Sequence, residues 1–152
     1  MEYAKYIAVA ITAITAGAFT SKGIEEFNDG PRHPNQPPSW VFSVVWSIIY
    51  ITYAFTWAQT KDIPGWLNAL FILNLVLNAG WCYIFFARNE RRIALYVILG
   101  LLILTAVQAF ALWNYTDGPN TGIGTLALLF YASWLMLATQ LNRHAVKNSE
   151  KL

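Results

Sequence analysis

Trp46, Asn78, Trp81 and Trp134 have the side chains, at the spacing, to recognise a flat apolar molecule. An indole face is a broad, rigid contact surface with a single donor at its edge, and an asparagine amide can both donate and accept. Groups for covalent or acid–base chemistry are absent around them. Cys82 is the single cysteine, so the chain can form neither an internal disulfide nor a cysteine cluster. His33 and His144 have no Cys, Asp or Glu neighbour at metal or triad spacing and read as solvated residues. The pattern points to non-covalent binding, with no catalytic residue and no metal site to name.

The elements that carry these residues are set by charge. Hydrophobic residues make up 57% of the 152 and charged residues 12%, more apolar surface than one soluble core of this length can hide. Every Asp, Glu, Lys and Arg falls outside five stretches, near 7–20, 38–58, 66–86, 93–113 and 122–141. Ionised groups are costly in hydrocarbon, so these stretches predict an all-α bundle of five transmembrane helices in a single domain, 1–152. The first reaches full length as 3–22 if Lys5 extends to the interface. A cleavable secretory segment is the rival reading there, and Glu2, which offsets Lys5, argues against it.

Helical geometry then gathers the aromatics. At about 100° per residue, Phe42, Trp46, Tyr50, Tyr53 and Trp57 share one face of the second span. Asn74, Asn78, Trp81 and Phe85 share one face of the third, and Tyr131, Trp134, Ala138, Leu141 and Asn142 one face of the fifth. Counted from the span ends, Trp46, Trp81 and Trp134 fall at one level, roughly 8–10 Å below one membrane face. Three indoles and Asn78 at one depth describe a flat-sided pocket. Packing is the competing reading, with the aromatics as core and the asparagines as interhelical glue. Trp57, Trp66, Trp113 and Trp40 are expected in the interfacial aromatic belts, and Ala13-x3-Gly17 is expected to let a neighbouring helix pack closely.

Eight basic residues (Lys22, Arg32, Arg88, Arg91, Arg92, Arg143, Lys147, Lys151) lie at one end of the bundle and only Lys5 and Lys61 at the other. By the positive-inside rule the C-terminus is cytoplasmic and the N-terminus outside. The sixteen residues from Lys22 to Pro37 form a long loop on the basic side, either a lid over the pocket or a connector. With no transit-type N-terminus, the expected site is a bacterial plasma membrane. The net charge of +2 is too small and dispersed to suggest nucleic-acid binding.

Pro37-Pro38-Ser39-Trp40-Val41-Phe42, followed by Val45-Trp46 and Tyr50, resembles the block that opens the second helix of TspO/MBR proteins. Leu75, Leu77-Asn78, Trp81, Phe85-Phe86 and Ala94-Leu95 are similar to that family's third-helix block. Tyr131, Trp134, Ala138 and Leu141-Asn142 are similar to its fifth-helix block. The resemblance implies a small receptor- or sensor-like bundle, often dimeric, that binds porphyrin or haem-type tetrapyrroles, sterol-like molecules or other planar lipophiles. It requires no cofactor. It assigns Trp46, Tyr50, Asn78, Trp134, Ala138 and Leu141 to the ligand, beside Trp81 from the geometry. Porphyrin breakdown is attributed to some bacterial members. The chain departs from the pattern in having no tryptophan between Lys22 and Gln36, Asn74 where glutamine is usual, Tyr83 and Phe130 where prolines are usual, and Leu137 where phenylalanine is usual.

A membrane scaffold or assembly subunit is the alternative, with the pocket level filled by side chains. A passive transporter of lipophilic molecules is another. An ion-coupled transporter has no Asp, Glu, Lys, Arg or His within the five charge-free stretches to work with.

Overall fold

The computed structural model describes residues 2–150, and among them the regular secondary structure is helical, without a β-strand. The helices are α1 (Glu2–Ser21), α2 (Ile24–Asp29), α3 (Ser39–Gln59), α4 (Gly65–Cys82), α5 (Arg91–Tyr115) and α6 (Pro119–Ser149), with a π-helical turn, Tyr83–Ala87, prolonging α4. Five of these, all but α2, are long and apolar enough to cross a membrane.

Prolines start the helices where a missing N–H costs nothing: Pro38 precedes α3, Pro64 precedes α4, and Pro119 is in the first turn of α6. Gly118, at φ 137°, supplies the left-handed turn into α6. Hydroxyls along the spans donate to the carbonyl one turn back, as in Thr12 to Ala8, Ser47 to Ser43, Thr52 to Ile48, Ser133 to Leu129 and Thr139 to Leu135. Each of these bonds satisfies a hydroxyl that hydrocarbon would otherwise leave bare. The outer faces carry exposed Ile51, Phe55, Val76, Ile103, Phe110 and Leu126, as expected when lipid is the solvent.

Around the bundle α1 packs on α3 and α4, α3 on α6, α6 on α5, and α5 on α4. The half remote from the basic end is solid. Tyr53, Phe71, Leu67, Leu112 and Leu128 are fully buried there, and Trp57 stacks on Phe71 with its ring 5.6 Å away and 2° from parallel. Trp57 is therefore a core residue and not part of the aromatic belt. Its indole N–H donates to Asn68 Oδ1 at 2.7 Å, a partner one helix away that the sequence does not announce. Trp40, Trp66 and Trp113 are exposed. Lys5 goes further than reaching the interface: Nζ donates to the Trp57 carbonyl at 3.0 Å and the Thr60 carbonyl at 3.4 Å, closing the C-terminus of α3. That ties α1 into the bundle.

Two features go beyond those expectations: the long loop contains α2, and the helix that carries the last span continues past residue 141 to Ser149. A charge ends a membrane window, but it does not end a helix. Arg143 and Lys147 carry no breaker, and the exposed helix end favours cations.

Candidate functional site

A chain of hydrogen bonds crosses the middle of the bundle. Tyr50 donates its hydroxyl proton to Asn78 Oδ1 (2.6 Å), Asn78 Nδ2 donates to the Tyr131 hydroxyl (2.9 Å), and Tyr131 donates to Asn74 Oδ1 (3.0 Å). Asn74 Nδ2 serves Thr105 Oγ1 and Gln108 Oε1 at 2.9 and 2.6 Å. Gln108 Nε2 donates to the Tyr53 hydroxyl, which donates to the Phe71 carbonyl. Asn74, Asn78, Thr105 and Gln108 are all buried. Buried polar groups in an apolar interior need partners, and each member here has them, so the network joins α3, α4, α5 and α6 at one level.

Above that level, toward the basic end, the bundle is hollow. A cavity of about 500 Å³ lies between α1, α3, α4 and α6. Its aromatic walls are two stacked pairs: Trp46 with Tyr50 (5.8 Å, 29°) and Trp81 with Phe85 (5.2 Å, 26°). Phe27 of α2 stands at the basic end, edge-on to Phe42, Phe85 and Phe86. α2 can approach this closely because Gly23 precedes it. A Cβ there would sit 2.3 Å from the Phe86 carbonyl oxygen, so only glycine fits. The π-helical turn brings both Phe85 and Phe86 to the cavity.

The three stripes turn inward as helical spacing predicts, but they do not all reach the same space. Trp46, Tyr50, Trp81, Ala138 and Leu141 line the cavity. Asn78 does not. Its carbonyl oxygen and amide are taken by Tyr50 and Tyr131, which is the packing role weighed against a ligand contact. Trp134 lies behind the wall, edge-on to Phe42 (5.4 Å) and Trp46 (6.4 Å), with a buried indole nitrogen that has no partner among the described residues. The three indoles are also not level. Trp81 donates to Asn142 Oδ1 at 3.0 Å, and Asn142 is about 12 Å of helix rise beyond Trp134. Depth counted from apparent span ends fails because α6 extends past its apparent end.

The first helix was the element missed. Ala13, Ala16, Gly17 and Thr20 line the cavity, and a Cβ placed on Gly17 would meet nothing within 4 Å. Ala16 is buried in the core, while Ala13 and Gly17 beside it border the cavity. Ser39, Ser43 and Ser47 do the same on α3 at four-residue spacing. Matching four-residue stripes of small residues on two spans are the signal that locates this wall. Residues 17, 21, 39, 43 and 47 are exposed while lining the cavity, so it opens sideways between α1 and α3.

Five membrane-length helices around an apolar aromatic cavity, braced by a polar layer at mid-bundle, define a small polytopic membrane protein. The TspO/MBR family profile matches residues 6–147, and the chain belongs to that family. It is 30% identical over 115 residues to the tryptophan-rich protein TspO of Chlorobaculum tepidum, covering 70% of this chain and 68% of that one. It is 26% identical over 145 residues to a tryptophan-rich sensory protein of Cereibacter sphaeroides, covering 93% and 87%.

Proposed function

We propose that the protein is a membrane sensor or receptor that binds a planar lipophilic ligand of the porphyrin type in the cavity between α1, α3, α4 and α6, with the basic end of the bundle in the cytoplasm. The observation that carries this reading is the shape of the walls. Two stacked aromatic pairs, Trp46–Tyr50 and Trp81–Phe85, flank a space of about 500 Å³, within the range of small-molecule sites and lined mainly by apolar groups. Stacking on extended aromatic faces rewards a flat ligand more than a globular one. Membership of a family with tryptophan-rich sensory members supports the sensor role, and the eight-to-two distribution of basic residues supports the orientation.

The test is a titration of the purified protein with protoporphyrin IX, read by quenching of tryptophan fluorescence, against a panel of sterols. Saturable quenching by the porphyrin that is reduced in Trp81→Phe supports the site. Non-saturable quenching, identical in parent and variant, refutes it.

A further inference from the structure

At the basic end a second, smaller cleft adjoins the cavity, and Phe27 and Leu141 belong to the walls of both. Its polar lining is Gln36 from the loop, Arg91 from the start of α5, and His144 and Asn148 from the end of α6. With about 20 Å³ it has room for a water molecule or the oxygen of an acid group.

Two nitrogens in this lining are unusual. Arg91 Nε and His144 Nε2 are both shut off from solvent, and neither has a hydrogen-bond partner among the described residues. A guanidinium keeps its protons in a protein, so the Nε–H is a permanent donor, and leaving a buried charged donor unmatched is costly. The rest of Arg91 is occupied. One terminal nitrogen lies 4.0 Å from the Glu26 carboxylate, and the guanidinium sits 5.4 Å from the centre of the Phe85 ring. Asn142 Nδ2 holds the Arg91 carbonyl at 2.8 Å and fixes the start of α5 against α6. His144 can donate from Nε2 as the neutral tautomer or as the imidazolium. The His33 ring meets it edge-on at 5.1 Å, so the loop covers this end of α6. Of the other carboxylates at this end, Glu150 is paired with Arg92 and Glu90 with Arg88, Asp29 precedes Gly30 of the lining, and Arg32, Arg143 and Lys147 leave the surroundings net basic.

We infer that the Arg91–His144 cleft receives a carboxylate carried by the same molecule whose flat body occupies the main cavity, which makes the ligand a polycyclic or macrocyclic acid in preference to a neutral lipophile. This rests on the pocket reading above and adds the polar end of the ligand to it. The acid group would lie at the basic end, close to the membrane surface, where it stays ionised. A charge-assisted hydrogen bond to Nε and a second to His144 would satisfy both orphan donors at once.

Two compounds with one ring system separate the claims: protoporphyrin IX, a diacid, and its dimethyl ester, which is neutral. Each is titrated into the full-length protein by tryptophan quenching, after subtraction of its partition into empty micelles. The parent protein is expected to bind the diacid about tenfold more tightly than the ester, or better. Arg91→Gln should abolish that preference while leaving the ester's Kd unchanged, and His144→Gln, which can still donate, should retain part of it. Equal Kd values for the two compounds in the parent protein overturn the inference and leave the main cavity standing, and this comparison needs no variant to fold. Variants that weaken both compounds alike also overturn it. Binding of neither compound overturns the main-cavity reading and the acid site together.

Discussion

The Tyr50 hydroxyl is bonded to Asn78 across 2.6 Å, and that one contact separates the part of the bundle that holds a cavity from the part that is packed solid. Tyr50 has one face on the cavity, while Asn78 is buried and passes the hydrogen-bond chain on to Tyr131. Asn78→Leu would strand the Tyr50 hydroxyl in an apolar interior and take one donor from the Tyr131 hydroxyl, which still donates to Asn74. It should lower stability by about 1–2 kcal/mol, toward the upper end of what interhelical polar contacts contribute in membranes. Thermal unfolding in detergent checks this, with Tyr50→Phe, which strands only one acceptor, expected to cost less. A folded Asn78→Leu protein of parental stability that has lost ligand affinity would return Asn78 to the role of ligand anchor.

Ala138 is buried on the α6 wall of the cavity. Ala138→Phe should remove porphyrin binding by filling the space and should cost the fold no more than about 1–3 kcal/mol of overpacking. Trp134→Ala acts from behind the wall and should weaken binding without abolishing it. Porphyrin binding undiminished in a folded Ala138→Phe protein would place the site elsewhere.

Phe27 holds α2 over the basic end of the cavity through three edge-on aromatic contacts. Phe27→Ala should speed ligand dissociation by about tenfold, the loss of one modest aromatic anchor. Gly23→Ala should produce a related defect by forcing a Cβ against the Phe86 carbonyl and displacing α2. Stopped-flow dissociation rates equal to the parent's in both variants would make residues 22–38 a connector only.

Orientation is tested by reporter fusions at the two ends of the chain. Activity of a cytoplasmic reporter is expected at the C-terminal fusion, and activity of a periplasmic reporter there would invert the assignment. Lys5→Met removes the cation that closes α3 and should lower stability by about 1 kcal/mol; an unchanged unfolding midpoint would show that the α3 carbonyls are solvated without it.

The span count and the inward faces of α3, α4 and α6 were legible because each follows from local rules. Charge is excluded from hydrocarbon, and positions near 100° apart share a helix face. What was not legible depended on neighbours. Trp57 reads as an interface residue until Asn68 and Phe71 are found beside it. Asn78 reads as a ligand anchor until Tyr50 and Tyr131 are seen to use both ends of its amide. The α1 wall was hidden because Ala13 and Gly17 have the same spacing whether a helix or an empty space lies opposite. Trp134 was misplaced in depth relative to Trp81 because the end of α6 was read from its first charge.

On the proposed function, the gap between α1 and α3 would determine which concentration the protein responds to. A lipophile that arrives through Gly17, Ser43 and Ser47 comes from the bilayer and not from water. Occupancy then follows the mole fraction of ligand in lipid, so adding empty vesicles at fixed total ligand should drain the site even though the protein and the ligand are unchanged. Dissociation constants expressed per volume of buffer would drift with lipid content, and only those expressed per lipid would stay constant between preparations.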